Sequence, residues 1–211
     1  MRVTVDRLYV ADPPDAWRQA GFTVEDGICR VGGVRIRLGS TTHPGTGIVG
    51  WTLRDLPPHS PDDLDGIPTA SSTTAPGEPA SHPNGVTSID HLVLLTPHLA
   101  RTRDALTAVG LSPRRERDAE LGGRPMRQLF YRLSEVVLEV VGAPDAAADG
   151  PSKLWGITYV VDDIDATAAF FGEHRTPVKD AVQPGRRITT VRHRAYGMSV
   201  RSEEHTSELQ S

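Results

Sequence analysis

Residues 89–110 read IDHLVLLTPHLARTRDALTAVG, and this stretch decides the fold because the chain contains its pattern three times. An apolar run typical of a buried strand is followed by a polar residue and a proline, then by a helix-favouring segment that stops at a glycine. Residues 5–21 (VDRLYVADPPDAWRQAG) repeat this order, with Asp12 as the predicted N-cap, and residues 155–172 (WGITYVVDDIDATAAFFG) are a third version. Such repetition indicates a structural unit that is used several times.

Further strands are predicted after each helix. Residues 30–39 (RVGGVRIRLG) align with residues 132–142 (RLSEVVLEVVG), and residues 47–56 (GIVGWTLRDL) supply a last strand to the first copy. Residues 186–200 (RRITTVRHRAYGMSV) supply two strands to the third copy. Each copy is therefore predicted to be a βαβββ unit of roughly 50 residues, and the fold class to be α+β.

The units are separated by residues 57–87, which hold seven prolines and many Ser, Thr and Gly residues. This composition favours a flexible linker, although residues 64–69 (LDGIPT) are apolar enough to dock on a neighbouring surface. The predicted organisation is a single βαβββ-like module over 1–56, the linker, and a paired domain over 88–200.

The last eleven residues, 201–211 (RSEEHTSELQS), are polar and differ in character from the chain before them. They match the conceptual translation of a common sequencing-adapter oligonucleotide. We interpret them as an artefact of gene assembly and expect the final strand to be truncated at residue 200.

Composition limits the classes of partner. The formal net charge of −4 is mild, which argues against nucleic acid, and no apolar stretch is long enough to span a bilayer. Cys29 is the sole cysteine, which fits a reducing, cytoplasmic compartment. An odd number of modules leaves strand edges to cover, so we expect either docking of residues 1–56 or a homodimer.

The opening strand IDHLVL and the closing strand VVLEVVG, within paired βαβββ units, resemble the vicinal oxygen chelate superfamily. That group includes glyoxalase I, extradiol dioxygenases and bleomycin-resistance proteins. The resemblance implies cupped mixed sheets with a ligand in the concavity, and it covers residues 88–200 as a pair and 1–56 as an extra unit. Metal-dependent members take their ligands from the opening and closing strands of both units.

The resemblance places His91 at the first metal-ligand position and Glu139 at the carboxylate position of the same unit. The other half of the site is missing, because the alignment puts Gly156 at the second histidine position and Ser199 at the second carboxylate position. A catalytic metal usually has three protein ligands. We therefore expect no cofactor, with a divalent Zn, Ni, Mn or Fe ion as the alternative. His91 is otherwise a pocket or acid/base residue, or a core histidine.

Other side chains are candidates for the cup. Tyr131, Tyr159 and Arg192 lie on predicted strands and are expected to line the ligand pocket, unless they serve packing or the surface. In the first copy, Arg7 takes the histidine position and Arg37 the glutamate position. These two arginines either face solvent or meet carboxylates or an anionic ligand.

Two classes of function follow from the resemblance. The first is a module that binds a small oxygenated or anionic metabolite in the concave sheet cavity, as bleomycin-resistance proteins bind their ligand, with catalysis uncertain. The second is a metal-dependent lyase, isomerase or dioxygenase of the glyoxalase type that uses His91 and Glu139. The loss of half the ligand set favours the first class, whereas a glutamate buried near a histidine favours the second.

Overall fold

The computed structural model describes residues 3–41, 44–121, 123–181 and 184–206. They form two mixed β-sheets with three α-helices and one short 3-10 helix. The predicted α+β class is confirmed. One hydrophobic core, with Leu8, Trp51, Leu92 and Leu138 among its fully buried members, is shared by both sheets.

The first sheet has seven strands. They are β1 (Thr4–Val10), β2 (Val24–Glu25), β3 (Ile28–Val31), β4 (Val34–Arg37), β5 (Ile48–Arg54), β6 (Asp63–Leu64) and β7 (Ile67–Ser72), and helix α1 (Pro14–Gln19) follows β1. Their order across the sheet is β2-β3-β4-β1-β5-β7-β6. Strand β1 is parallel to β4 and antiparallel to β5, and β5 is parallel to β7.

The second sheet has eight strands. They are β8 (Val86–Leu95), β9 (Pro113–Leu121), β10 (Arg124–Leu133), β11 (Val136–Gly142), β12 (Lys153–Val161), β13 (Lys179–Asp180), β14 (Arg187–Val191) and β15 (Arg201–Thr206). Helix α2 (Leu99–Ala108) follows β8, helix α3 (Ile164–Phe171) follows β12, and the 3-10 helix is His193–Tyr196. The strand order is β13-β14-β15-β12-β8-β11-β10-β9.

The pairing defines the repeated unit. Strand β8 is parallel to β11, β12 is parallel to β15, and β8 and β12 are antiparallel neighbours at the centre of the sheet. The sequences β1-α1-β2-β3-β4, β8-α2-β9-β10-β11 and β12-α3-β13-β14-β15 are therefore three βαβββ units. The prediction that residues 47–56 close the first unit is wrong, since β4 closes it and β5 opens a reduced fourth unit that contains no helix.

The segment predicted to be a flexible linker is packed against the protein over much of its length. Its residues 63–72 contain β6 and β7, as the apolar LDGIPT motif suggested. His82 is 6% exposed and Asn84 only 1%. The Nδ1 atom of His82 accepts a hydrogen bond from the Thr23 amide at 3.1 Å, and the Asn84 side chain donates to the Ala20 carbonyl at 2.9 Å.

The first sheet docks on the second, which is one of the two ways in which we expected the strand edges to be covered. The Phe22 ring lies 4.9 Å from Trp17 and 5.3 Å from Tyr159, measured between centroids, so that an aromatic cluster joins the sheets. Asp12 is 2% exposed and accepts hydrogen bonds from the Ser199 and Val200 amides. It is thus a tether between the two sheets, and Pro13, not Asp12, takes the N-cap position of α1.

The C-terminal residues form a strand that the sequence did not predict. Arg201–Thr206 is β15, which lies between β12 and β14, whereas the expected final strand within 186–200 is replaced by the 3-10 helix. Residues 207–211 lie outside the described part. The adapter origin of 201–211 remains a prediction, because strand pairing through backbone amides and carbonyls places few demands on side-chain identity.

Candidate functional site

The alternation of β8 directs His91 away from the core. Ile89, Leu92 and Leu94 are buried on one face, whereas 22% of the His91 side chain is exposed on the other. The pairing of β8 with β12 contains a β-bulge, because Ile89 and His91 oppose consecutive residues and Asp90 is the extra one. A bulge re-aims side chains within a strand. Asp90 therefore joins His91, although simple alternation predicts that it faces the opposite side.

Three polar groups surround the His91 imidazole. Its Nδ1 lies 2.8 Å from Asp90 Oδ2, and its Nε2 lies 2.9 Å from Thr158 Oγ1 and 3.5 Å from Glu139 Oε2. A carboxylate only accepts hydrogen bonds, so the Nδ1 proton donates to Asp90 and Nε2 is the atom that faces Thr158 and Glu139. An acidic partner on one ring nitrogen fixes the imidazole tautomer and leaves the other nitrogen for chemistry.

Glu139 is held by a chain of side chains from the neighbouring strands. Gln128 on β10 donates from Nε2 to Glu139 Oε1 at 2.6 Å, and Arg117 on β9 donates from Nε to Gln128 Oε1 at 2.7 Å. The Glu139 side chain is 13% exposed. Its Oε1 therefore accepts from Gln128, while Oε2 faces His91.

A second arginine completes the other end of this row. Arg186, in the segment that precedes β14, lies with Nη1 3.4 Å from Asp90 Oδ1. The row thus runs Arg186, Asp90, His91, Glu139, Gln128, Arg117 across the second sheet. Two cations at its ends balance the two carboxylates within it, so the partly buried charges are compensated.

The described residues do not fit a three-ligand metal site. His91 Nε2 and Glu139 Oε2 converge, but Asp90 lies on the other ring nitrogen and the third direction holds the neutral Thr158 hydroxyl. Among the described residues, no group of three or more His, Cys, Asp or Glu side chains is placed to hold a metal ion. Catalytic zinc sites normally have three protein ligands.

The pairing of strands corrects the expected second half-site. Thr158, not Gly156, lies directly across from His91, and Gly156 is paired with Val93. Ser199 is not on a strand, and its amide donates to Asp12 at 2.9 Å. In the parallel pairing of β8 and β11, Glu139 is opposite Val93. The equivalent closing strand of the third unit is β15, which lies in the segment interpreted as adapter-derived.

The three predicted pocket residues do not join His91. Tyr131 and Tyr159 are 1% and 0% exposed on the core face, where Tyr159 packs on Phe22. Burial raises the pKa of Tyr131 to about 12. Arg192 is exposed next to the 3-10 helix. These side chains therefore lie on the opposite face of their strands from His91 and Glu139, or outside the strands, and their role as pocket residues stays a prediction.

Asp90, Thr158, Gln128 and Arg117 are the members of the site that the sequence did not reveal. Thr158 follows from the antiparallel register of β8 and β12, and Gln128 and Arg117 follow from the pairing of β9, β10 and β11. No local sequence pattern indicates this group, because its members are brought together by pairing between separate strands.

Cavities lie near this row but are not centred on it. One of about 190 Å³ borders Asp90, where the turn between β3 and β4 approaches Ser88. Another of about 540 Å³ lies between the sheets and is lined by Ile67, Lys153 and Trp155. Neither cavity is lined by His91 or Glu139, whose side chains are 22% and 13% exposed.

In searches of known proteins, no family model and no curated protein matches the chain. Solved structures do match. A variant of 4-hydroxymandelate synthase from Streptomyces coelicolor is 14% identical, with a TM-score of 0.61 over 97% of this chain and 92% of that chain. A xylose isomerase-like TIM barrel/4-hydroxyphenylpyruvate dioxygenase fusion protein is 13% identical, with a TM-score of 0.60 over 100% of this chain and 49% of that chain.

A third structure, methylmalonyl-CoA epimerase from Mycobacterium tuberculosis, is 12% identical and matches 58% of this chain and 89% of its own with a TM-score of 0.43. The two matches that cover nearly the whole chain, together with the cupped sheets and their repeated units, define the architecture. The chain has the vicinal oxygen chelate fold. A fold does not by itself determine an activity.

Proposed function

We propose that this protein binds a small oxygenated or anionic metabolite over the concave face of the second sheet. The observation that carries the proposal is the row of polar side chains around His91 and Glu139, which is fixed by hydrogen bonds at both ends and remains partly exposed. Polar groups held on an otherwise apolar sheet face are typical of a ligand site.

His91 and Glu139 would contact the ligand directly. The Asp90 carboxylate holds the Nδ1 proton, so Nε2 can accept a proton from a ligand hydroxyl or return one to it. Glu139 Oε2, 3.5 Å away, stabilises the imidazolium that results. The same two groups can also hydrogen-bond a neutral oxygenated ligand without any reaction. The proposal is therefore ligand binding, and catalysis would require the proton transfer through Nε2 in addition.

A metal-dependent lyase, isomerase or dioxygenase is the second candidate. It is favoured by the convergence of His91 Nε2 and Glu139 Oε2 on the same region. A metal bound there would supply Lewis acidity and a template for oxygen ligands, and these two side chains would hold it. They provide only two of the usual three ligands.

The test is a ligand screen by thermal denaturation. Short hydroxy acids, keto acids and phenols are added to the full chain and to the His91→Gln and Glu139→Gln variants. Glu120→Gln, at an exposed position on β9, is the matched control. We expect a ligand that raises the Tm of the wild type and of the control but not of the two site variants. A ligand that shifts all four proteins equally, or no ligand at all, contradicts the proposal.

Metal content separates the two candidates. Zinc, nickel, manganese and iron are measured per chain by plasma mass spectrometry in the wild type and in Glu139→Gln. Stoichiometric metal that is lost in the variant supports the metal-dependent enzyme. Metal below one tenth of an equivalent after incubation with each ion supports the binding module.

No helix within the described ranges is long and apolar enough to cross a membrane. A cytoplasmic location and a homodimer remain predictions, and size-exclusion chromatography with light scattering tests the latter.

A further inference from the structure

The first sheet carries the counterpart of the His91 site, with arginines in place of the acid/base pair. Strand β1 contains a bulge at Asp6, as β8 does at Asp90, and the residue that follows is Arg7. Arg7 lies opposite Thr52, just as His91 lies opposite Thr158. On its other side, Arg7 is the Cα partner of Arg35 in the parallel strand β4.

The charges on this face are unbalanced. Asp6, which is 2% exposed, accepts hydrogen bonds from both Arg35 and Arg54, so one carboxylate serves two guanidinium groups. Arg7 has no hydrogen bond or ion pair with any described residue. Its guanidinium lies 5.9 Å from the centre of the Tyr9 ring, which places Arg7 and Tyr9 on the same face.

Two buried donors on this face lack acceptors. The Nε atoms of Arg7 and Arg35 are both buried, and neither has a hydrogen-bond partner among the described residues. Like charges on directly paired strand positions are destabilising, and an unsatisfied buried donor adds to the cost. A bound ion is one established way in which a native structure satisfies such donors.

We propose that the face of the first sheet around Arg7 and Arg35 is a binding site for a small oxyanion. Arg7 and Arg35 project from paired positions on this face, so one carboxylate or phosphate group can accept hydrogen bonds from both guanidinium groups. The Tyr9 hydroxyl accepts a hydrogen bond from Thr52 at 3.3 Å, so its own proton is available for a third oxygen. Arginine is the side chain best suited to bidentate recognition of both groups.

Neighbouring groups support this choice of charge. Arg37, two residues after Arg35, donates to the Asp26 carbonyl at 2.8 Å and so adds a cation without a carboxylate partner. Arg30, on the adjacent strand β3, meets Glu25 at 3.4 Å. Among the described residues named here, five arginines are thus balanced by two carboxylates, Asp6 and Glu25. This site lies on a different sheet from His91 and does not depend on the function proposed above.

The test measures anion binding by isothermal titration calorimetry at constant ionic strength. Inorganic phosphate and succinate are titrated separately into the full chain in a chloride buffer, which distinguishes a phosphate-selective from a carboxylate-selective site. The variant is Arg7→Gln, and the matched control is Arg132→Gln, an exposed arginine on β10 with no hydrogen bond or ion pair to a described residue. We expect at least one anion to bind the wild type and the control, and binding to Arg7→Gln to be about tenfold weaker or more.

Folding of the variant is checked in the same chloride buffer. Arg7→Gln removes a like charge and an unsatisfied donor, so its Tm without added anion is expected to equal or exceed that of the wild type. Arg7→Lys keeps the positive charge but loses the planar guanidinium that can donate two parallel hydrogen bonds, so it is expected to bind the anion with intermediate affinity. Absence of binding by both anions, or equal binding by wild type and Arg7→Gln, overturns the proposal.

Discussion

Removal of the Asp65 side chain is expected to lower the free energy of unfolding substantially, although Asp65 lies in the proline-rich segment 57–87. Asp65 lies in the turn between β6 and β7, and its carboxylate is 3% exposed. Arg101 and Thr102 of α2 donate to its two oxygens, and Ser152 donates to Oδ2 at 2.6 Å. This one side chain therefore joins the first sheet to two elements of the second half of the chain.

The magnitude follows from these three bonds. In Asp65→Ala the hydroxyls of Thr102 and Ser152, whose residues are 1% and 2% exposed, lose their charged acceptor, and Arg101 loses its counterion. A hydrogen bond to a charged group contributes about 1.5–3 kcal/mol, and part of each loss is recovered by water or by the bond between the two hydroxyls. We expect a loss of about 3–4 kcal/mol in total.

Asp65→Asn isolates the charge. The amide keeps one oxygen for Arg101, and its NH2 group can donate to the hydroxyls of Thr102 and Ser152, which then act as acceptors. The expected loss is about 1 kcal/mol, the order of a partly exposed ion pair. The backbone at Asp65 has φ 55°, a conformation that Asn tolerates and Ala does not, which widens the gap between the two variants.

The assay is equilibrium urea unfolding followed by tryptophan fluorescence, with Asp62→Ala as control. Asp62 is an exposed neighbour whose side chain makes no hydrogen bond to a described residue, so its removal is expected to cost less than about 0.5 kcal/mol. Equal losses for Asp65→Ala and Asp62→Ala would show that the segment 57–87 is a loose tether after all, and that the buried contacts contribute nothing to stability.

Three further outcomes are expected. Phe22→Ala removes the ring between Trp17 and Tyr159, and it should lower the free energy of unfolding by about 3–5 kcal/mol in the same urea assay. If the ring joins the two sheets, the unfolding transition of the variant should also be less cooperative; a loss without any change in cooperativity would indicate a purely local effect. Burial lowers the pKa of His82, so the folded state binds fewer protons than the unfolded state below pH 6.5. The contribution of His82 to stability is therefore complete above that pH and falls as the pH decreases. In His82→Gln the free energy of unfolding should depend less on pH between pH 7.5 and 5. Tyr131→Phe deletes a buried hydroxyl without a hydrogen-bond partner among the described residues, and thermal denaturation should show a Tm no lower than that of the wild type.

The pattern of apolar residues and the residues that begin and end helices predicted much of the fold. The strand, cap, helix and glycine pattern located three βαβββ units, and Gly21 and Gly110 have the positive φ that a helix stop requires. What failed was the assignment of strands to units. Whether residues 48–54 close one unit or open the next is decided by pairing with β1, which is a long-range contact and leaves no local signature.

The site was predicted only in part for a similar reason. His91 and Glu139 are conspicuous in apolar strands, and the structure places them 3.5 Å apart. Simple alternation would put Asp90 and His91 on opposite faces, but alternation holds only where the ladder is regular. A bulge at that residue depends on how two strands meet, and the composition of residues 89–95 does not indicate it.

The proline-rich segment shows the limit of composition as a guide. Seven prolines favour an extended chain, yet they do not determine whether that chain stays in solvent. Leu64 and Ile67 are buried, and they anchor the segment at its middle. The segment therefore contributes two strands to the first sheet despite its proline content.

The bulges at Asp6 and Asp90 give the two sheets the same local backbone arrangement with different side chains on it. In both sheets the irregular residue is an aspartate and a threonine faces the residue after it, but that residue is Arg7 in one and His91 in the other. The two sheets therefore differ here in the charge of a few projecting side chains and not in how their strands pair. Placing His at position 7 and Glu at position 37 would give the first sheet the pair of side chains that the second sheet carries as His91 and Glu139.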